Sequence, residues 1–217
     1  MSDIFREVDE EVRREQYQKI WDRYGLYIIA GVILFVAAIA GWRLYEWYES
    51  KRAAEAGAAF EAAATLSQEG KSAEAQAAFA KVAAEGTSGY RAIALLREAT
   101  ELSQRDSAAA VIAFDKLAAD ASLSQPLQDI AGLRAAALLV DTASFPDMTR
   151  RLEPLTGSNR TFRHSARELL ILSAWRAGDT AAAKRWNDTI QTDPETPQAL
   201  RGRVDVLMAL VNADSKS

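Results

Sequence analysis

Apolar and charged positions divide the chain into a short charged segment, one uninterrupted apolar run and a long alanine-rich remainder. The apolar run, residues 26–42 (LYIIAGVILFVAAIAGW), contains no charged residue. The 19 residues between Arg23 and Arg43 correspond to about 28 Å of helix, close to the thickness of the hydrocarbon core of a bilayer. Tyrosine and tryptophan flank both ends of the run, where their rings prefer the headgroup layer. The pattern therefore predicts one transmembrane helix over residues 26–42.

Two other interpretations of this run are open. A helix buried in a soluble core is also apolar, but one that is apolar on all sides over this length is unusual in a chain of 217 residues. A cleaved signal peptide is the second, because Ala38-Ile39-Ala40 has the small-x-small form of a cleavage site. The preceding segment of about 25 residues is long and acidic for a signal peptide, which favours an uncleaved anchor.

Residues 1–25 are predicted to form a helix-prone arm that ends at Gly25, and the basic residues around the anchor predict its orientation. Lysine and arginine close to a membrane helix favour the cytosolic side, whereas acidic residues contribute little. Five basic residues precede the anchor and three follow it closely. They are Arg6, Arg13, Arg14, Lys19 and Arg23 before it, and Arg43, Lys51 and Arg52 after it. We therefore expect the N-terminus in the cytosol and the C-terminal domain outside it.

Small residues within the predicted anchor offer a surface for a second membrane helix. Ala37 and Gly41 are four residues apart, and Gly31 lies on a nearby face. Such spacing lets helix backbones approach closely, although alanine and glycine are common in membrane helices in general. We predict that Gly31, Ala37 and Gly41 form a helix-packing surface, which is compatible with a homo-oligomer.

After a predicted juxtamembrane helix over residues 43–58, the pattern repeats about every 35 residues. In each unit, a glycine or a polar pair separates two helices, and the second helix carries a small, an aromatic and an apolar residue. These are Ala75, Phe79 and Val82 in the first unit and, 35 residues later, Ala110, Phe114 and Leu117 in the second. A more divergent third unit covers residues 130–155, a fourth turns at Gly178, and a last helix follows over about residues 197–211.

A small residue at a helix crossing and an aromatic wedge into the next unit are typical of tetratricopeptide hairpins. We therefore predict an all-α protein with an N-terminal arm, one transmembrane helix and, over residues 59–217, a tetratricopeptide-like α-solenoid of about four hairpins. An ordinary helical bundle is the less favoured alternative, because independent helices would not share this spacing.

Composition narrows the classes of function. The net charge is −4 and no basic patch stands out, so no nucleic-acid partner is predicted. The chain has no cysteine, and its single histidine, His164, cannot build a multi-histidine metal site. No nucleophile–base–acid set and no phosphate-binding or HExxH motif is present, so we predict no catalytic, cofactor-binding or metal-binding residue. His164 is interpreted as a surface or capping residue, with a proton switch as the alternative.

Stacked helical hairpins form a concave face from the first helix of each unit, and such faces bind peptides. Polar residues on these first helices are therefore candidates for peptide binding, although each is also explained as solvated surface. The candidates are Gln68, Arg91, Glu98, Arg134 and Arg167. A protein-interaction function is thus favoured over an enzymatic one.

The layout resembles that of a known family. The arm ends in KIWDRYG, the anchor ends in GWRLYEW, and a short tetratricopeptide-like domain follows. In these features the chain resembles the YfgM-like family of Gram-negative inner-membrane proteins. The resemblance implies an ancillary subunit of the SecYEG translocon whose periplasmic domain assists exported polypeptides together with the membrane-anchored chaperone PpiD. The alternative is a self-associating envelope scaffold without a translocon role.

Overall fold

The computed structural model describes the backbone of residues 3–214 and the side chains of residues 21–213. This part of the chain contains nine α-helices, one short 3-10 helix and no strand, which confirms the predicted all-α class. The α-helices are α1 (Asp3–Gln68), α2 (Ser72–Glu85), α3 (Ser88–Ser103), α4 (Ser107–Ala118), α5 (Gln125–Leu139), α6 (Phe145–Leu152), α7 (Arg163–Arg176), α8 (Thr180–Thr192) and α9 (Gln198–Asp214), and the 3-10 helix Glu153–Leu155 follows α6.

The chain separates into two compact units between Ala54 and Glu55, and α1 continues through this boundary. Within the first unit, α1 also continues through Gly25, where the sequence predicted the end of the arm. A single glycine costs a helix only about 1 kcal/mol, and the ring of Trp21 lies over this position. The arm residues 6–19, used in the orientation prediction, lie outside the described side chains.

The apolar run lies entirely within α1, and its side chains are exposed. Leu26 is 79% exposed, Phe35 68% and Trp42 70%. A helix in a soluble core would have these side chains covered, so the structure contradicts that interpretation. Among the described residues, this helix is long and apolar enough to cross a membrane, and a bilayer would remove its apolar surface from water.

The second unit is a series of hairpins whose buried side chains follow the predicted repeat. The small, aromatic and apolar positions of the first two hairpins are buried, as predicted. They are Ala75, Phe79, Val82, Ala110, Phe114 and Leu117. Four apolar clusters follow one another along the chain, and each includes residues of two consecutive hairpins or of the last hairpin and α9. A core divided in this way, with each unit covering its neighbour, is the packing of a solenoid.

The turns within the hairpins use two kinds of local chemistry. Gly70 and Gly178 have φ values of +75° and +72°, a left-handed conformation that glycine adopts without steric cost. In the second and fourth units, Asp106 and Asp179 cap the following helix by accepting backbone N–H bonds of 2.9 and 2.8 Å. Ser144 similarly caps α6. The predicted turns therefore coincide with real helix ends.

One face of helix α9 packs against the last hairpin. Its residues Leu200, Val204, Met208 and Val211 are buried in one cluster with residues of α7 and α8. The sequence predicted this last helix over about residues 197–211, and the structure extends it to Asp214.

Candidate protein-binding surface

Polar contacts join first helices of neighbouring hairpins, and the first helix of the fourth hairpin to α9. They link residues that are 34 or 35 positions apart, in agreement with the repeat length. The contacts are Ser67 Oγ to Glu101 Oε1 (2.5 Å), Arg134 Nη1 to Thr100 Oγ1 (3.4 Å), and Arg203 Nε and Nη2 to the Glu168 carboxylate (2.9 and 2.8 Å). The end of α1, α3 and α5 therefore lie side by side, as do α7 and α9, and they present polar side chains to one another.

The predicted peptide-binding residues have different environments. Gln68, Arg91 and Arg134 are exposed, whereas Glu98 is half-buried. Arg167 is buried, with only 6% of its surface exposed. The first four residues are thus accessible to a partner, and Arg167 is not.

Glu98 lies in a groove of about 310 Å³ between α3 and the end of α4. The lining combines aliphatic side chains with three charged ones; it consists of Leu95, Glu98, Ala99, Leu102, Ala113, Lys116, Leu117 and Asp120. Burial raises the pKa of the Glu98 carboxyl, and no hydrogen bond or ion pair within the described residues offsets that burial. Hydrogen bonds from Ser122 lower the pKa of Asp120, and nearby Arg91 contributes to the same shift. The groove can therefore hold an apolar side chain that ends in a polar or cationic group.

Arg167, predicted for an open face, instead belongs to a buried ion cluster centred on Asp193. Its Nη1 donates to Asp193 Oδ2 at 2.7 Å and its Nη2 to the Thr156 carbonyl at 2.8 Å. Arg163 Nε donates to the same carboxylate oxygen at 2.9 Å. The hydrogen bond from Arg163 is the largest of several causes that hold the pKa of Asp193 far below its usual range. Arg167 is thus buried because Asp193, at the end of the second helix of the same hairpin, provides a negative charge that pairs with it.

His164 borders this cluster and is neither of the two things that the sequence predicted: it is not an exposed surface residue, and it does not cap α7, whose N-cap is Phe162. Its side chain is 12% exposed, and its Nδ1 lies 3.2 Å from Thr196 Oγ1. Because the Thr196 hydroxyl donates to the Ile190 carbonyl at 2.8 Å, it accepts from a protonated Nδ1, as in the Nδ1–H neutral tautomer or in the imidazolium. Burial, followed by repulsion from Arg163, lowers the pKa of His164.

The sequence pattern did not predict this ion cluster. Two signals were available: Arg163 and Arg167 are one helical turn apart, and the unit ends in Asp193-Pro194-Glu195. Such charges at the two ends of one hairpin favour pairing once the hairpin closes. For metal binding, the described residues contain no group of three histidine or acidic side chains suited to an ion.

Comparisons with known proteins agree with this architecture. Residues 18–189 match a family described as tetratricopeptide repeat-like domain. The chain is also 25% identical over 179 residues to a protein of Haemophilus influenzae named ancillary SecYEG translocon subunit, an alignment that covers 82% of this chain and 86% of that protein. No solved structure matches. The family match begins before the apolar run and ends within α8, so it includes the run, the first three hairpins and most of the fourth.

Proposed function

Because the chain belongs to the tetratricopeptide repeat-like domain family, we propose that it is a membrane-anchored protein-interaction subunit of the SecYEG translocon. The observation that carries this proposal is the alignment over 86% of a protein named ancillary SecYEG translocon subunit. This match and the family match confirm the resemblance to the YfgM-like family that the sequence indicated.

In this proposal, the apolar part of α1 is retained as an anchor. The family match begins at residue 18, ahead of residues 26–42, which supports an uncleaved segment over a signal peptide. The anchor places the N-terminus in the cytosol and the hairpins in the periplasm of a Gram-negative cell, as the distribution of basic residues favours. Gly31 and Gly41 have open space where a Cβ atom would lie, and Ala37 is exposed, so these positions are available to a translocon helix.

The hairpins bind other proteins and catalyse no reaction in this proposal. Gln68, Arg91, Glu98 and Arg134 remain the proposed peptide-binding residues, with the groove at Glu98 receiving a side chain of the bound segment. The partners are exported polypeptides and a PpiD-like membrane-anchored chaperone. Arg167 is left out because its guanidinium group is held by Asp193 and Thr156.

Purification of the tagged full-length protein in mild detergent tests the proposal. We expect SecYEG subunits and a membrane-anchored chaperone to co-purify with it. Gly41→Leu fills the small-residue surface and should lower the recovery of SecYEG, whereas Val36→Leu, on nearly the opposite face of the helix, should not. Absence of both translocon and chaperone from the wild-type sample would refute the proposed function.

The orientation is tested with single cysteines, because the chain has none of its own. Ala84→Cys lies on the exposed surface of α2, and Ser2→Cys lies in the arm. A membrane-impermeant maleimide, added after permeabilisation of the outer membrane, should label the cysteine at position 84 and not the one at position 2. The opposite labelling would place the hairpins in the cytosol and exclude a periplasmic role.

A further inference from the structure

The outward face of α9 is the least explained surface of the repeat unit. Opposite the buried residues of this helix, a face of small and aliphatic residues is exposed: Ala199, Gly202, Val206, Ala209, Leu210 and Ala213. Val206 is 66% exposed and Leu210 47%. With Arg203 and Leu207, four of these residues line an open groove of about 540 Å³.

The position of α9 in the stack explains why this face is open. Each hairpin before it contributes to an apolar cluster shared with the next element, and α9 is the last helix of the described chain. Its outer face has the aliphatic character of a surface that another helix covers, whereas a capping helix usually turns polar residues outward. Burial of this face by a binding partner would therefore be favourable.

The order of side-chain sizes along α9 indicates which occupant fits. Of the four face residues that line the groove, the small Ala199 and Gly202 stand in the first half of α9, and the larger Val206 and Leu210 stand in its second half. We propose that a second copy of this chain covers the face, with the two α9 helices antiparallel about a two-fold axis between residues 204 and 205. Leu210 of each copy then lies opposite Ala199 of the other, and Val206 packs beside Gly202.

The charged groups at the edge of the α9 face are compatible with this antiparallel pairing. Arg203 lies at that edge, and the Nε and Nη2 atoms of Arg203 are already bonded to Glu168. Its Nη1 has no partner among the described residues, and the side chain is 59% exposed. In the antiparallel register, the two Arg203 positions are about 4.5 Å apart along the axis. Two guanidinium groups and two Glu168 carboxylates then meet at the axis with no net charge.

The size of the contact indicates that this pairing depends on the membrane anchors. One face of a 17-residue helix measures about 25 Å by 10 Å, or roughly 250 Å² per copy. A stable interface usually buries about 800 Å² per partner. The contact alone is therefore weak, and we expect it to form between copies whose anchors hold them in one bilayer at high local concentration.

Disulfide trapping in native membranes tests the proposal on full-length protein, because the wild-type chain lacks cysteine. Val206→Cys should form a homodimer under mild oxidation, since its two copies lie about 4.5 Å apart along the axis and close helix contacts bring their Cα atoms within disulfide range. Ala199→Cys alone should not, because its copies are about 16 Å apart. Ala199→Cys co-expressed with Leu210→Cys should form a mixed dimer.

Glu85→Cys, an exposed position on α2, measures random collision. We expect at least a fivefold excess of dimer for Val206→Cys over this control, and a second change, Gly202→Leu, should abolish the excess while circular dichroism shows an unchanged helix content. Homodimers of Ala199→Cys would indicate a parallel pairing and overturn the proposal. Protection of the cysteine at position 206 from maleimide without dimer formation would assign the face to another protein or to lipid, and would also overturn it. Neither result bears on translocon binding, which co-purification tests separately.

Discussion

Replacement of Asp193 by asparagine tests the strongest polar feature of the repeat unit. The carboxylate accepts hydrogen bonds from Arg163 and Arg167, whose side chains are only 10% and 8% exposed. Asparagine at this position keeps the size and one acceptor oxygen but removes the negative charge, so two buried guanidinium groups lose their counter-ion. Glu195 still contacts Arg163, but its side chain is 75% exposed and its charge is screened by water.

The expected loss can be estimated from these exposures. Breaking a buried ion pair by removal of one partner costs about 3–5 kcal/mol, and we expect about 3 kcal/mol here because one acceptor oxygen and the bonds to the Thr156 and Arg160 carbonyls remain. For a domain of this size, the loss corresponds to a decrease in Tm of roughly 6–12 °C. The assay is urea unfolding of the full-length protein in mild detergent, followed by the loss of helical circular dichroism.

The pH dependence adds a second readout. The native pKa of Asp193 is far below its usual value, so the unfolded state binds more protons than the native state as the pH falls from about 5 through the ordinary pKa of about 3.9. The contribution of the carboxylate is therefore fully present above about pH 5 and decreases at lower pH, so the difference between wild type and variant should be constant above about pH 5 and shrink below about pH 4.

Asp188→Asn serves as the matched control, because it makes the same charge change at an exposed position on α8. We expect this variant to stay within about 0.5 kcal/mol of wild type. A loss for Asp193→Asn below about 1 kcal/mol, or a loss equal to that of the control, would refute the assignment of Asp193 as the centre of a stabilising cluster.

Three further predictions concern stability of the same unit. Because burial lowers the pKa of His164, the unfolded state takes up a proton first as the pH falls below about 6.5, so stability should decrease there; His164→Gln should remove this part of the pH dependence in urea titrations. Gly178→Ala forces a side chain into a positive φ and should cost about 1–2 kcal/mol, whereas Gly89→Ala, helical with open space around it, should stabilise by up to about 1 kcal/mol; equal effects in thermal melts would contradict this. Phe114→Ala should cost about 3–5 kcal/mol, whereas Ile112→Ala, 58% exposed, should cost far less; similar losses would refute the aromatic wedge.

The repeat architecture could be predicted because it depends on local size and spacing. Ala75, Phe79 and Val82 recur as matching residues 35 positions later, and burial of apolar side chains favours the same hairpin wherever that pattern occurs. The glycine turns were visible for a similar reason, since the left-handed conformation selects glycine at Gly70 and Gly178.

The environments of the charged residues could not be predicted in the same way. Whether Arg167 points outward or inward depends on Asp193, which lies 26 residues away at the end of the second helix of the same hairpin. Spacing along one helix places Arg163 and Arg167 on one face but does not show that the turn brings Asp193 against them. The burial of His164 was missed for the same reason, because Thr196 comes from the segment after α8.

These pairings also determine which charged side chains of the repeat unit are available to a binding partner. Glu168 is occupied by Arg203, Arg167 by Asp193, and Glu101 by Ser67, so binding at any of them would first have to break a contact within the stack. Burial of the Glu98 carboxyl raises its pKa, and no such contact among the described residues compensates for this loss of hydration. A cationic or hydrogen-bond-donating group from outside would offset that cost, since a half-buried carboxylate gains most from a partner that it lacks in the free protein. Under the proposed function, we therefore expect the groove at α3 and α4 to be a contact point for an incoming polypeptide.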